Sequence, residues 1–199
     1  MSRLTRKINW VILSVALFLM MLQTTKVFSE SFRISHNDDV NFKYDVALVV
    51  FQGQFRIKSS YLNLDRENPG DSEFTLTLDL LNSSAGFAFA TRVMLGKSVL
   101  YAEKYPQIIF KSRNINFKDD KFEILGQLTI KNITRDLQLI ADPIDFELDN
   151  FDGKSEIHFH IYGEINRHDF GASAFSGLVG NNIILDSLVT VTPELNREI

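Results

Sequence analysis

Residues 74–80 read FTLTLDL, with a large apolar side chain at every second position and threonine or aspartate between them. Successive side chains of a β-strand point to opposite faces, so this period of two predicts a strand with one buried face. Ile108 and Phe110 show it briefly, and it recurs in residues 122–130 (FEILGQLTI), 157–165 (IHFHIYGEI) and 183–191 (IILDSLVTV). The chain is therefore predicted to be an all-β protein.

Turn signals separate these alternating runs, at residues 67–71 (ENPGD), 118–121 (KDDK), 131–132 (KN) and 149–153 (DNFDG). Short strands with breaks at this spacing favour an antiparallel barrel or sandwich. Residues 40–51 and 137–144 are apolar at both alternating positions, which predicts strands buried on both sides. Residues 40–65 contain no strong break, so the strands there are expected to be long and bent, with Gly53 as a bend point.

One region, residues 84–104 (SAGFAFATRVMLGKSVLYAEK), departs from this alternation. Phe87, Met94 and Leu95 lie close to helical spacing, and Pro106 follows. The region is predicted to form one or two short helices that cross one end of the sheet. Because a helix that is apolar most of the way round is buried or covers a cavity, it is a candidate gate.

The N-terminal 29 residues have the layout of a secretory signal peptide. Basic residues at Arg3, Arg6 and Lys7 precede the uncharged run 10–22 (WVILSVALFLMML), and small or medium residues follow at 27–29. A retained membrane anchor is the alternative, but 13 apolar residues fall short of the roughly 20 that a spanning helix needs. We therefore expect cleavage after residue 29, a single domain at residues 30–199, and a periplasmic or secreted location.

Charge and cysteine content exclude several classes of function. The chain of 199 residues carries a formal net charge of −4 and no cysteine. The first 29 residues hold four basic and no acidic residues, so the remainder is near −8. This acidic balance disfavours nucleic acid as a partner. The absence of cysteine excludes disulfides, thiol nucleophiles and cysteine-ligated metals.

Four stretches in order resemble the YceI-like family of bacterial periplasmic proteins. They are residues 49–55 (VVFQGQF), residues 64–72 (LDRENPGDS), residues 103–112 (EKYPQIIFKS), and residues 126–130 (GQLTI) followed by 166–171 (NRHDFG). The resemblance extends over about residues 32 to 192. Where many members carry polar residues near the mouth, this chain has Val46 and the largely apolar stretch 94–102 (MLGKSVLYA).

The resemblance implies an eight-stranded, antiparallel, lipocalin-like barrel with a short helical segment at one end. It also implies an elongated cavity that takes long amphiphiles, typically isoprenoid chains. The strand pattern agrees, because about eight strands form the smallest barrel that can hold one small ligand. The alternative is a packed core without a ligand. The candidate lining and gate residues are Phe42, Tyr44, Phe55, Leu78, Phe87, Met94, Phe110, Phe122, Phe159 and Ile161.

Arg167 and Asp169 occupy the positions of the family's arginine and aspartate. Arg167 either neutralises a polar head at the barrel mouth or forms a structural pair with Asp169, and the pair is favoured. Further candidates for contact with a head group, each also explained as a surface charge, are Arg92, Lys97 and Lys104.

His158 and His160 flank Phe159 on one predicted strand, so both imidazoles should face outward while Phe159 faces inward. Two histidines on one face are a spacing that metal sites use. A third ligand would come from elsewhere, such as Glu164 or His168, so no metal site is predicted. The chain has no G-x-S-x-G nucleophile motif and no phosphate-binding glycine loop, and it indicates no cofactor.

The leading hypothesis is an exported binding protein, not an enzyme, that holds an isoprenoid, quinone-like or other long-chain lipid for transport or sequestration. One alternative is a metal-dependent, lipid-modifying enzyme that uses the face of His158 and His160. Another is a ligand-free barrel that binds a partner. Transient contact with a membrane or a redox protein and formation of a homodimer stay open as further associations.

Overall fold

The computed structural model describes residues 30–35, 37–65, 68–144 and 155–194. The predicted signal peptide and the predicted turn at 149–153 lie outside these residues. Among the described residues, no helix is both long enough and apolar enough to cross a lipid bilayer.

Nine strands and one α-helix make up the regular structure of the described residues, with two short 3₁₀ turns at Pro69–Asp71 and Arg167–Phe170. Helix α1 covers Ala88–Leu95. The strands are β1 (Glu30–Ile34), β2 (Asp39–Val46), β3 (Val49–Leu64), β4 (Glu73–Ser84), β5 (Gln107–Lys118), β6 (Lys121–Ile130), β7 (Ile133–Ile144), β8 (Ile157–Asn166) and β9 (Asn182–Pro193).

The strands form a closed antiparallel barrel with eight positions. Strands β2 to β9 pair in chain order, and β2 closes the barrel against β9 through the pairs Phe42–Leu185 and Lys43–Ile184. The short strand β1 shares the position of β2 between β3 and β9, because Phe32 lies opposite both Leu62 and Pro193. The predicted eight-stranded barrel is therefore confirmed. Each of the strands β2 to β9 therefore has a paired neighbour on both sides, although within the described residues β7 pairs with β8 through Ile140–Ile144 alone.

The two ends of the barrel differ. One end carries the β2–β3 and β6–β7 turns, residues 85–106 with α1, and residues 167–181 between β8 and β9. We call this the mouth end. The far end carries the start of β1, the β5–β6 turn and the end of β9. The predicted helical segment is present as a single helix, which begins after Phe87 and ends at Leu95, before Gly96.

The prediction of a doubly buried strand at residues 40–51 is wrong. Ala47 and Leu48 form a hairpin turn inside this segment, with φ angles of 47° and 71°, and Val46 pairs with Val49 across it. A turn with positive φ at both central residues is usually built from asparagine and glycine. Because this turn contains neither, the usual sequence signal is absent. The other turns of this kind, Asp119–Asp120 and Lys131–Asn132, do carry the polar residues from which they were predicted.

The other segment predicted to be buried on both sides, residues 137–144, is buried fully on one face only. Leu139 and Ala141 point inward and are buried, whereas Gln138 and Ile144 are exposed. Strand β3 is long, as predicted, and its register against β4 shifts just after Gly53. Gly53 has a packing role as well, because a Cβ atom there would lie 2.3 Å from the ring of Phe42.

We predict that the double substitution Ala47→Asn with Leu48→Gly stabilises the protein by about 1 kcal/mol. A residue other than glycine or asparagine in left-handed backbone lowers the stability of the folded state by roughly 1–2 kcal/mol. Leu48 is 99% exposed, so its replacement removes no packing. Urea unfolding measures the difference. A lower midpoint for the variant would show that the turn is not strained.

Candidate functional site

The barrel interior holds two apolar cavities that lie end to end. The larger has a volume of about 110 Å³ and reaches toward the mouth end, where Leu100 and Phe170 line it. The smaller, of about 60 Å³, reaches toward the far end, where Leu64 and Ile157 line it. Ile34, Phe74 and Ile161 line both cavities and therefore lie between them, and we call these three residues the constriction. The interior thus contains two apolar cavities in line, separated by these side chains.

The lining of this space is almost wholly apolar. Arg167 and Ser187 are the polar residues of the larger cavity, and the smaller has none among its lining residues. Cavities of order 150 Å³ with such walls stay dry and accept apolar guests. The physical character of the interior therefore favours an apolar occupant over water.

The structure brings most of the predicted lining residues together. Phe55, Leu78 and Phe110 line the larger cavity, Phe122 and Phe159 line the smaller, and Ile161 lines both. The alternation that identified these residues was correct about which face is inward. Two residues that line both cavities were not among the predicted candidates: Phe74, although it shares its strand face with Leu78, and Ile34, which lies outside the alternating runs.

Phe42 and Tyr44 are buried but line neither cavity. The ring of Phe42 stacks on Phe55 with 4.3 Å between centroids, and the Tyr44 ring lies 5.8 Å from Phe51. The Tyr44 hydroxyl donates a hydrogen bond of 2.8 Å to the carbonyl of Ala85, and burial raises the pKa of this phenol. These contacts tie β2 to the chain that leads into α1.

The gate candidates Phe87 and Met94 lie at the mouth end. Phe87 is the residue before α1, its ring centroid is 5.6 Å from that of Phe51, and it is 45% exposed. Met94 is half-buried on α1 and packs against the core. Neither side chain lines either cavity, and their role in a gate stays a prediction.

Arg167 is a buried cation that holds the loop between β8 and β9. Its Nε donates to the carbonyl of Gly180 at 2.8 Å, its Nη2 to Val179 at 3.0 Å, and its Nη1 to Ala172 and Ala174. Burial lowers the pKa of the guanidinium. Four of its five N–H groups are therefore used by main-chain oxygens.

The predicted ion pair between Arg167 and Asp169 is wrong. Asp169 is exposed, and the contacts of Arg167 within the described residues go to the loop carbonyls. The physical reason is that the loop after residue 171 turns back over the guanidinium. Its main-chain oxygens accept the hydrogen bonds that a carboxylate would otherwise accept.

His158 and His160 point outward while Phe159 is buried, as predicted. His160 Nε2 lies 2.7 Å from Asp186 Oδ1, and Lys43 pairs with the same carboxylate. Lys43 and then His160 lower the pKa of Asp186. No group of three or more potential metal ligands occurs in the part of the chain that the structure describes.

The remaining basic candidates lie on or near the helix at the mouth end. Lys97 lies 5.6 Å from the centroid of the Tyr101 ring, and Lys104 lies 5.1 Å from that of Tyr105. Both lysines and Arg92 are exposed. None of the three lines either cavity.

We predict that Arg167→Met destabilises the protein by about 2–4 kcal/mol, because the substitution leaves buried carbonyls without donors. Asp169→Ala, two residues away and exposed, is the matched control and should change stability by less than about 0.5 kcal/mol. Chemical denaturation measures both. Equal losses from the two variants would contradict the assignment of Arg167 to the loop carbonyls.

The amino-acid sequence is similar to those of known bacterial proteins. The chain is 24% identical over 125 residues to a UPF0312 protein of Photorhabdus laumondii, covering 63% of this chain and 65% of that one. It is 25% identical over 133 residues to protein YceI of Escherichia coli O157:H7, covering 67% and 69% respectively. The chain thus spans about two thirds of the length of these relatives.

Solved structures share the fold. BcnA of Burkholderia cenocepacia superimposes with a TM-score of 0.67 at 19% identity, covering 78% of this chain and 96% of that one. A polyisoprenoid-binding domain from Saccharophagus degradans gives 0.60 at 10% identity, covering 83% and 99%. The model of the YceI-like domain matches residues 31–193, and this chain therefore belongs to the YceI-like family.

Proposed function

We propose that this protein binds one long apolar or amphiphilic lipid, such as an isoprenoid or quinone-like chain, inside its barrel. The observation that carries the proposal is the pair of apolar cavities placed end to end along the barrel. A long chain would fill both if the side chains at Ile34, Phe74 and Ile161 moved aside. Each CH₂ group transferred from water would contribute about 0.8 kcal/mol.

Family membership supports the same ligand class. The solved relative from Saccharophagus degradans is described as a polyisoprenoid-binding domain. We extend that chemistry to this chain because the interior here is elongated and apolar. The identity of the lipid and its transport or sequestration belong to the proposal.

The lining residues favour binding over catalysis. Arg167 is the one ionisable side chain among the lining residues of the two cavities, and a cavity without a carboxylate, histidine or lysine offers no general base. The fifth N–H of Arg167 would be free to donate to an oxygen of the ligand's head group. We therefore propose a binding protein in which Arg167 is mainly structural.

Residues 1–29 are proposed to act as a cleaved signal peptide, which would deliver the barrel to the periplasm or the exterior. This fits a protein without cysteine, since the barrel is closed by strand pairing and its apolar core and needs no disulfide.

The constriction supplies a test of the proposal. Ile161→Ala should widen the passage between the cavities and improve binding of long polyprenols relative to short ones, whereas Ile161→Phe should block it and reverse that preference. Leu188→Ala, on the outer wall at 65% exposure, is the matched control and should bind like the wild type. Native mass spectrometry with polyprenols of graded length measures the ratio.

Ile161→Ala is expected to lose about 2 kcal/mol of stability, so each variant is first checked for thermal unfolding. If both Ile161 variants bind every chain length as the wild type does, the lipid does not pass the constriction and the proposal fails in this form.

A further inference from the structure

Exposed apolar side chains are concentrated at the mouth end. Seven of the fourteen large apolar residues that are exposed within the described chain lie there. We call this group the apolar crown, and it consists of the hairpin residues 48–50, Phe87, Phe89, Phe175 and Leu178. Isolated exposed apolar residues are ordinary, but a contiguous group marks an interaction surface.

The crown is continuous because its segments touch. The amide of Ala47 donates to the carbonyl of Leu178 at 2.9 Å, and Val46 forms a bridge with Val179. On the other side of the hairpin, the ring of Phe51 lies 5.6 Å from that of Phe87. The hairpin therefore links the β8–β9 loop to the start of α1 at the mouth end.

Two crown residues adopt backbone conformations that their side chains disfavour. Leu48 has a φ of 71° and is 99% exposed, and Phe175 has a φ of 60° and is 50% exposed. Left-handed backbone is costly for such residues. Burial does not offset this cost at Leu48 and offsets it only in part at Phe175, so a role outside the folded chain explains why large apolar groups are presented here.

Charge identifies the kind of partner. Residues 171–181 (GASAFSGLVGN) and residues 46–50 (VALVV) carry no charged side chain. Apart from the buried Arg167, residues 85–106, the β6–β7 turn and residues 167–181 together carry four basic side chains (Arg92, Lys97, Lys104 and Lys131) against two carboxylates (Glu103 and Asp169), although the chain as a whole has a net charge of −4. The mouth end is thus apolar and basic on an acidic protein, which complements an anionic lipid surface.

We propose that the apolar crown inserts into the interfacial layer of an anionic lipid bilayer, so that the mouth of the barrel faces the membrane. Exposed phenylalanine and leucine bordered by lysine and arginine are the composition of surfaces that lie in this layer. In α1, Phe89 and Arg92 are three residues apart and share one helix face, which pairs an apolar contact with a basic one. Docking itself does not depend on the proposed function. The inference rests on that function only where it says that a lipid ligand would pass through the mouth.

A single-cysteine reporter tests this docking, because the natural chain has no cysteine. Leu48→Cys is introduced into the protein purified after expression with its N-terminal segment, labelled with the environment-sensitive fluorophore NBD, and mixed with vesicles of phosphatidylcholine and phosphatidylglycerol. The emission should shift to the blue and rise several-fold. Leu188→Cys on the barrel wall is the matched control and should not respond. Vesicles of phosphatidylcholine alone should give a weaker response.

A second comparison separates docking from folding. With the reporter at Leu178→Cys, the exchange Ala47→Asn with Leu48→Gly should lower the vesicle response several-fold although it stabilises the hairpin. The corresponding exchange at the far end, Asp119→Asn with Asp120→Gly, should leave the response unchanged.

Three results would overturn the inference. An unchanged emission at Leu48→Cys on vesicle-bound protein would show that the crown stays in water. Equal shifts at Leu48→Cys and Leu188→Cys would indicate adsorption without orientation. A shift that depends on protein concentration and not on vesicles would assign the crown to a second copy of the chain. Because the reporter needs no bound lipid inside the barrel, its result is independent of the test at Ile161.

Discussion

Closure between β2 and β9 is the constraint on which the rest of the structure depends. Two residue pairs, Phe42–Leu185 and Lys43–Ile184, join these strands, and β1 completes the same position toward the far end. Once the sheet is closed, every second side chain of each strand is enclosed. An alternating sequence thereby becomes an apolar interior with a polar outer wall. The cavities follow from this closure, because eight strands leave slightly more room than their inward side chains fill.

Closure also gives the outer and inner faces of the sheet different chemistry. The outer wall carries the cluster of Lys43, His160 and Asp186, so one of the two histidines that suggested a metal is engaged with a carboxylate, while the other, His158, contacts the hydroxyl of Thr190. Among the residues that line the two cavities, Arg167 carries the one charge, and main-chain oxygens of its own loop accept hydrogen bonds from the guanidinium. The loop that Arg167 holds also presents Phe175 and Leu178, so an interior contact positions part of the exposed crown.

Much of the fold could be predicted because alternation and polar turns follow from local chemistry. The hairpin at Ala47 and Leu48 could not, since its residues lack the glycine or asparagine that such turns prefer. The inward face of Phe55, Phe110 and Phe159 was readable from the period of two, but a filled core and a cavity share that period. Phe42 and Tyr44 were predicted as lining residues because only tertiary contacts distinguish an aromatic that lines a space from one that packs beside the segment leading into α1. The partners of Arg167 depend on a loop whose path has no sequence signature.

The central claim is that the interior is a binding site for one long apolar chain. It is tested most directly by purifying the full chain after expression with its N-terminal segment and measuring its mass under native and denaturing conditions. The account predicts extra mass in the native spectrum only, which solvent extraction recovers as a single lipid per protein. A native mass equal to that of the bare polypeptide, with no uptake after incubation with a total lipid extract, would contradict it and leave a packed barrel without a ligand.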